Sequence, residues 1–420
     1  MGNPFKVISN NKSPQKRLDE KKKTSDSAIS AETFVFLFVL VGFFGYLANQ
    51  MGLGIMFSVF METAHALLID TVFLIMAIAV LAGALSALLS EFGVVELINK
   101  IISPIMKPLY GMPGAASIGG VTTYLSDNPA IISLAKDKKF IKYFYKYQVP
   151  ALCNLGTAFG MGLVLTTYMI SFGNEFIAPA LIGNIGALIG SIVSVRIMLS
   201  FTQKYYKADF DDIEKKEFNE NFEEAVDDTD DIDFIPDNPP KTDNYFERII
   251  NSILEGGKNG VEMGLGIIPG VLIICTVVMI LTFGPSGMED GVAVYEGVAF
   301  EGVGLLPKLG SYIHPILQPL FGFENVEAIA FPIVSLGAVG AAMGLVQNFL
   351  ETNIITPNDI AVFTAMGMCW SGYLSTHVGM MDVLNLRKLS SKAIISHTIG
   401  GLAAGISANY IYQLYALIFL

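Results

Sequence analysis

The stretch SPIMKPLYG at residues 103–111 returns as HPILQPLFG at residues 314–322. Both copies keep two prolines, a leucine and a final glycine, and each matched residue lies 211 positions further along the chain. A Gly-rich stretch follows each copy, at residues 114–135 and 333–349, and a helix with a Cys-x-x-Gly motif and a last apolar helix come next. This order of four matching features predicts two internal repeats.

The composition is that of a membrane protein. Of the 420 residues, 52% are hydrophobic and only 15% are charged. Six windows approach the ~20 apolar residues that a helix needs to cross a bilayer core, and they cover residues 33–49, 71–89, 149–171, 176–195, 261–283 and 394–420. We therefore expect an all-α polytopic membrane protein embedded in a lipid bilayer.

The net charge of −12 comes from one segment. Residues 209–247 hold sixteen Asp or Glu residues against three lysines, a net charge of −13. Because blocks of like charge are usually solvated and disordered, we expect an acidic cytoplasmic linker at 199–247. It would separate a first membrane repeat at 32–198 from a second at 248–420. The Lys-rich residues 1–31 lack a cleavable signal and are expected to form a disordered cytoplasmic tail.

The distribution of Lys and Arg predicts the orientation of each half. The tail and the loop at 136–146 are Lys-rich, which favours the cytoplasmic side for both and a cytoplasmic N-terminus. The loop that corresponds to 136–146 in the second half, 350–357, contains no Lys or Arg, which favours the outside. The two halves are therefore predicted to run in opposite directions. Inverted repeats are typical of secondary transporters, whose solute sites lie near the midplane.

The segment TTYLSDNPAI at 122–131 places polar side chains and a proline between apolar legs that are each too short to span a bilayer. This predicts a re-entrant helical hairpin at about 103–135, and by repetition a second at about 311–349. An alternative is that SDNP marks a helix boundary at which Ser126 or Asp127 caps the next helix. The amphipathic stretches 55–68 and 244–262 are expected to precede the long helix of each half and to be interfacial.

Polar side chains on the hairpins and on the helices that follow them are the candidates for solute binding, because buried polar groups in membranes are costly and usually functional. Trp370 would be either an aromatic platform or an interfacial anchor, and His377 either a proton relay or a hydrogen-bonded bundle residue. Glu296 and Glu301 are second-rank candidates in an outer loop. The full predicted set of binding residues is Thr122, Thr123, Ser126, Asp127, Asn128, Asn154, Thr157, Ser335, Asn348, Trp370, Ser371, Ser375 and His377.

The motifs TTYLSDNPAIISLAKD, CNLGTAFGMG and WSGYLSTHVGMMD resemble the YjiH-like membrane proteins of the nucleoside-recognition Gate-domain group over roughly residues 35–420. That group is similar to the concentrative nucleoside transporters and to the Gate regions of ferrous-iron transport protein B. The resemblance implies inverted repeats with two re-entrant hairpins in the bacterial cytoplasmic (inner) membrane. It also implies that Thr123, Ser126, Asp127, Asn128 and Asn154 hold a nucleoside-like solute, although the second hairpin lacks the polar tip of those transporters.

Three functions remain open from the sequence. The first is alternating-access transport of a small polar solute, with Na⁺ or H⁺ as the coupling ion. The second is a divalent-metal permease that uses Cys153 and Cys369 as soft ligands at repeat-related positions. The third is a non-transporting scaffold whose acidic linker recruits a cytoplasmic partner. We expect no enzyme, no other cofactor and no nucleic acid polymer as partner, and a homo-oligomer is compatible with each function.

Overall fold

A computed structural model of the chain describes residues 30–206 and 244–420. These residues fall into two compact units, one ending at Phe57 and the other comprising Ser58–Leu420. Both halves of the predicted repeat therefore contribute to the second unit. The N-terminal tail up to residue 29 and linker residues 207–243 lie outside the described residues, and both ends of the expected linker are helical.

Helices make up most of the described structure. In the first half they are α1 (Ala31–Met51), α2 (Leu53–Glu91), α3 (Val94–Tyr110), α4 (Ala116–Leu125), α5 (Pro129–Lys136), α6 (Lys138–Ile141), α7 (Ala151–Thr157), α8 (Gly162–Ile170) and α9 (Ile177–Tyr206). In the second half they are α10 (Tyr245–Thr282), α11 (Leu305–Gly310), α12 (His314–Phe321), α13 (Ala330–Ser335), α14 (Val339–Glu351), α15 (Pro357–Trp370), α16 (Tyr373–Val383) and α17 (Ser390–Phe419). Short 3₁₀ turns occupy Asn174–Phe176, Val326–Ile329 and Arg387–Leu389, and β1 (Gly287–Glu289) pairs antiparallel with β2 (Val292–Val294).

Six helical segments in the described ranges are long and apolar enough to cross a membrane. They are α1, α2, the broken pair α7–α8, α9, α10 and α17, and they coincide with the six apolar windows of the sequence. The expected all-α polytopic fold is therefore confirmed.

The helices α2 and α10 are longer than a bilayer core requires. They contain 39 and 38 residues, and one π-helical segment interrupts each, at Leu67–Val72 and Val271–Cys275. The prediction that 55–68 and 244–262 precede the long helices is wrong, since both stretches belong to these continuous helices; their interfacial position stays a prediction. In α2 the reason is local, because no glycine or proline stands between residues 55 and 82 to end the helix.

Close backbone contact through small residues joins the principal helix pairs. Between α2 and α10, a Cβ atom added to Gly83 would lie 2.4 Å from the Gly256 carbonyl oxygen. Between α9 and α17, a Cβ atom on Gly190 would lie 2.5 Å from the Gly400 carbonyl oxygen. Membrane helices commonly associate in this way, because small residues let the backbones approach.

Left-handed backbone positions recur at the spacing seen in the sequence. Three pairs, each separated by 211 residues, share a positive φ: Gly93 and Gly304 (76° and 58°), Gly111 and Gly322 (71° and 75°), and Met161 and Gly372 (56° and 66°). Each pair occupies an equivalent place, before a helix, at the end of a helix, or at the break in a helix. The order of elements and their local geometry thus repeat, while the opposite orientation of the halves stays a prediction.

The helix ends at 110 and 321 are also capped alike. Arg196 on α9 donates to the carbonyl oxygens of Pro108 and Leu109 at the end of α3. The matching carbonyls at the end of α12 accept from Tyr410 and Asn409 on α17, at 3.1 and 3.0 Å. In both halves, the long last helix therefore satisfies the final carbonyls of the helix before the hairpin.

The same spacing corrects one sequence alignment. Because Met161 takes the place of Gly372 at a separation of 211 residues, the Cys-x-x-Gly motifs are not equivalent. Cys153 and Cys369 are 216 residues apart, so they do not occupy repeat-related positions. The match of residue types in the two motifs therefore differs by five residues from the 211-residue spacing of the repeat.

The loop at 283–304 is organised around one carboxylate. Glu301 is only 3% exposed, and it accepts from the Ser286 hydroxyl and from the backbone amides of Glu296, Gly297 and Val298, the amides at 2.8, 2.7 and 3.2 Å. Burial alone would raise the pKa of Glu301, but these four hydrogen bonds favour its charged form and hold the pKa below its ordinary value. Glu301 therefore fixes the conformation of the loop.

Candidate solute-binding site

Two broken helices face each other at the centre of the site. Helix α15 ends where Ser371 leaves helical geometry, at φ −16° and ψ 62°, and the left-handed Gly372 then starts α16. Helices α7 and α8 are separated at the corresponding point by the left-handed Met161. Helix ends carry partial charges on unpaired backbone groups, which is how broken membrane helices bind polar solutes and ions.

The first hairpin consists of α4 and α5, joined at residues 126–128, so it begins later than the expected residue 103, which lies in α3. At its tip the buried Asn128 Nδ2 donates to the Ser371 carbonyl oxygen at 2.5 Å and to Thr376 Oγ1 at 3.4 Å. The other end of this amide lies against Gly160, where an added Cβ would be 2.0 Å from Asn128 Oδ1. One side chain thus joins the tip to both breaks.

The second hairpin consists of α13 and α14, joined at residues 336–338, and the expected start at 311 likewise includes the separate helix α12. It meets the same break through its backbone. The Gly372 amide donates to the Ser335 carbonyl oxygen at 3.0 Å, and a Cβ on Gly372 would lie 3.0 Å from the Gly337 carbonyl oxygen. The first tip therefore contacts the break through a side-chain amide, and the second contacts it through the backbone carbonyl groups of Ser335 and Gly337.

A directed chain of hydrogen bonds runs from α7 to α17. His397 Nε2 lies 2.5 Å from the Cys369 carbonyl oxygen, which can only accept, so Nε2 carries the hydrogen and Nδ1 is an acceptor. The Ser194 hydroxyl, 2.8 Å from Nδ1, donates to it and accepts from Asn154 Nδ2 at 2.8 Å. The second N–H of Asn154 reaches Ser396 Oγ at 2.8 Å. Asn154 has therefore used both of its donors.

His377 lies beside this chain on α16. Its Nδ1 is 3.5 Å from the hydroxyl of Thr157, whose hydrogen is donated to the Cys153 carbonyl oxygen. Nδ1 therefore bears the ring hydrogen and Nε2 is an acceptor. The ring centroid of His377 lies 4.6 Å from that of His397 and 5.4 Å from that of Tyr373.

Three buried atoms of this cluster have no hydrogen-bond partner within residues 30–206 and 244–420: Asn128 Oδ1, Asn154 Oδ1 and His377 Nε2. The residues are 5%, 0% and 0% exposed. An unsatisfied buried polar atom costs about 1–3 kcal/mol, so a group of three calls for a physical reason. A ligand that supplies hydrogen-bond donors is such a reason.

Other predicted residues of the first hairpin bond locally. The fully buried Thr123 donates only to carbonyls of its own helix, and the Ser126 hydroxyl donates to the Thr122 carbonyl oxygen at 2.6 Å. Ser126 thus ends α4 and does not cap α5. Asp127 is half-buried and accepts from the Asn128 amide at 2.7 Å, which ties the carboxylate to the tip.

The predicted residues of the second half are spread more widely. The Ser335 hydroxyl donates within α13, to the Pro332 carbonyl oxygen at 2.8 Å. Asn348 is buried in α14, well beyond the hairpin turn. Ser375 lies in α16, but its side chain lies outside the described structure. Of these three residues, only Ser335 is at the break.

Trp370 is a packing residue in this arrangement. It is 5% exposed, its indole fills the space beside Gly401, and its Nε1 donates to the His397 carbonyl oxygen at 3.4 Å. The glycine on α17 is what allows the large ring to lie this close. Trp370 therefore holds α15 against α17.

Sequence reasoning missed four residues of the cluster, namely Gly160, Ser194, Ser396 and His397. His397 carried a usable signal, since an ionisable residue inside the apolar helix α17 is rare in membrane proteins. The two serines and the glycine carried none, because such residues are common in membrane helices.

The metal-permease alternative loses its main support. Cys153 and Cys369 are buried free thiols at positions that are not equivalent between the halves. Within the ranges that the structure covers, no three His, Cys, Asp or Glu residues converge as metal ligands.

Fold and site together define a polytopic helical membrane protein in which two helical hairpins and two helix breaks surround a buried polar centre. No family model and no curated protein matches the chain. Among solved structures, it is similar to the concentrative nucleoside transporter CNTnw. An outward-facing variant has 14% identity and a TM-score of 0.48, over 96% of this chain and 88% of that chain. An inward-facing, substrate-bound form has 15% identity and a TM-score of 0.48, over 95% and 86%.

Proposed function

We propose that the chain is a secondary transporter that carries a small polar solute across a lipid bilayer by alternating access between inverted repeats, with nucleoside-like solutes as the first class to test. The observation that carries the proposal is the meeting of both hairpin tips and both helix breaks at Ser371 and Gly372. Non-helical backbone at membrane depth is tolerated where it is buried in protein or lines a watery cavity. Four such interruptions at one place favour a solute site.

The attachment of the hairpin tips suits a gate. Asn128 is held by two side-chain hydrogen bonds, and the second tip is held by one backbone bond from Gly372. A net contribution of about 0.5–1.5 kcal/mol per hydrogen bond is small enough to be replaced by contacts to a solute. Either tip could then open the centre to one side at a time.

The proposal includes a location and an orientation. Lysines cluster in the N-terminal tail and in the loop at 136–146, which favours the cytoplasmic side for both. We place the protein in the bacterial cytoplasmic membrane, with Na⁺ or H⁺ as the coupling ion.

Uptake by purified protein in liposomes tests the proposal. Labelled nucleosides, nucleobases and organic acids would be offered with and without a Na⁺ or pH gradient, to wild type, Asn128→Ala and Asp127→Asn. Thr202→Val is a matched control, because the Thr202 hydroxyl bonds only to carbonyls of its own helix. We expect flux in wild type and control and at least about tenfold less in Asn128→Ala, since the tip loses its anchor. Absence of flux for every solute class would contradict the proposal.

Replacing residues 209–243 by a Gly/Ser linker of equal length separates transport from recruitment. A transporter keeps its flux with the neutral linker, whereas a scaffold that recruits a partner through the acidic residues loses its activity. Retained flux is the expected result.

A further inference from the structure

We propose that the solute recognised at this centre presents N–H or O–H donors and is uncharged or cationic rather than anionic. This inference rests on the proposed transport function and names the class of solute. It follows from which hydrogen-bonding atoms of the centre are already used and which are not.

The two side-chain amides of the centre have used their donors. Asn128 donates to Ser371 and Thr376, and Asn154 donates to Ser194 and Ser396. In each amide the partners fix which end is nitrogen, since Asn128 Nδ2 faces the Ser371 carbonyl and Asn154 Nδ2 also faces the carbonyl of Ala393 at 3.3 Å. The oxygen of each amide is therefore the free end.

Four backbone donors at the breaks and at the first tip are used as well. The amide of Gly372 donates to Ser335, that of Ser371 to Gly367 at 2.9 Å, and that of Gly162 to Phe159 at 3.1 Å. At the first tip, the Asn128 amide donates to the Asp127 carboxylate. These four amides are therefore not available to an anion.

Three hydrogen-bond acceptors of the centre, by contrast, have no donor among the described residues. Asn128 Oδ1, Asn154 Oδ1 and His377 Nε2 lack partners throughout the described ranges. All three belong to one contact network, because Asn128 bonds to Thr376, the neighbour of His377, and Asn154 bonds to Ser194, which bonds to the His397 ring beside His377.

The charge of the centre agrees with this surplus. The described hydrogen-bond partners of these three side chains are hydroxyls and backbone carbonyls, and none is a Lys or Arg. The nearest ionisable side chain along the chain from Asn128 is that of Asp127. An anionic solute would meet unpaired acceptors, whereas an amine, amide or hydroxyl would meet complementary atoms.

Equilibrium binding to the purified full chain, in matched pairs of probes, tests the inference. Adenosine is compared with purine riboside, which lacks only the exocyclic amino group, and putrescine is compared with succinate. We expect adenosine and putrescine to bind at least about tenfold more tightly than their partners, the factor that corresponds to one hydrogen bond of about 1.4 kcal/mol. Equal binding within the pairs, a preference for succinate, or no binding of either donor-bearing probe would overturn the inference.

Substitutions of two histidines, His377 and His314, test the role of the unpaired acceptor on His377. His377→Phe removes an acceptor that has no partner in the described chain together with the 3.5 Å contact between Nδ1 and Thr157. Thermal stability without ligand should therefore fall less than in His314→Phe, while the preference for donors falls. His314→Phe is the control, because His314 Nε2 lies 3.0 Å from the Phe323 carbonyl oxygen; it should lower stability and leave the preference intact. A large loss of ligand-free stability in His377→Phe with the preference retained would overturn the assignment.

The two proposals fail separately. Uptake of succinate without any preference for donors would leave transport standing and refute the solute class. Selective binding of donor-bearing probes without flux under any gradient would support the solute class and refute transport.

Discussion

The side-chain amide of Asn128 donates to the carbonyl oxygen of Ser371, 243 residues further along the chain. This bond joins the tip of the first hairpin to the break in the second half. The centre of the protein is thus held by a contact between two interruptions of regular helix, and its removal has a defined cost.

Asn128→Ala should lower the free energy of unfolding by about 1–3 kcal/mol, because it leaves buried groups of the break with fewer partners. Thermal unfolding in detergent measures the effect. Ser126→Ala, at the same tip, removes only a bond within its own helix and should cost less than half as much. Equal losses in the two variants would show that the contact with Ser371 contributes nothing special.

Gly160→Ala should displace the Asn128 amide. The new Cβ would lie 2.0 Å from Asn128 Oδ1 and 2.8 Å from Ser371 Oγ, so the hairpin tip or the break has to shift. Overpacking of this kind costs about 1–3 kcal/mol and should abolish solute binding. The control is Gly266→Ala, where no atom lies within 4 Å of the added Cβ. Wild-type melting temperature and binding in Gly160→Ala would contradict the geometry.

The equivalent glycines Gly111 and Gly322 should respond differently to alanine. Both are left-handed, at φ 71° and 75°, so each substitution carries about 1–2 kcal/mol of backbone strain. At Gly322 the Cβ would also lie 2.4 Å from Asn358 Nδ2, whereas at Gly111 the closest atom, on the Arg196 side chain, is at 3.1 Å. Gly322→Ala should therefore show the larger fall in melting temperature. The reverse order would refute this account of the caps.

Ser194→Ala should interrupt the chain from Asn154 to His397. It leaves the buried acceptor Nδ1 of His397 without its partner and removes one acceptor of the Asn154 amide, at a cost of about 1–3 kcal/mol. Thr202→Val lies on the same helix and removes only bonds within that helix. We expect a clear fall in melting temperature for Ser194→Ala and a small one for the control; the opposite result would refute the directed chain.

The loop held by Glu301 should lose stability in acid. The pKa of Glu301 is lowered in the folded protein, so its charge stabilises the fold above the ordinary value of 4.5 and this contribution disappears as the pH falls through the lowered pKa. Glu301→Gln should cost about 2 kcal/mol at pH 7 and remove this part of the acid dependence. Hydrogen exchange of the amides of Glu296 and Gly297 between pH 3 and 7 measures both effects. Acid dependence unchanged in Glu301→Gln would contradict the assignment.

The sequence alone determined the class of fold, the six membrane-scale helices and the 211-residue spacing. These properties are local, because hydropathy is a sum over neighbouring residues and a proline or glycine acts on the turn in which it stands. The polar interruption at 126–128 was equally readable, and Asn128 lies there between α4 and α5; its role in solute binding stays a prediction. The opposite orientation of the halves, the solute and the coupling ion stay predictions.

Only the tertiary structure decided which polar residues meet. Asn128 and Ser371 are 243 positions apart, and Asn154 and Ser396 are 242 apart, so no local pattern couples them. The roles of the amides depend on which of their atoms already have partners, and that follows from the packing of four separate helices. The same packing makes Trp370 a contact between α15 and α17. The two cysteines are not equivalent, because a backbone position, and not a matching residue type, defines a structural repeat.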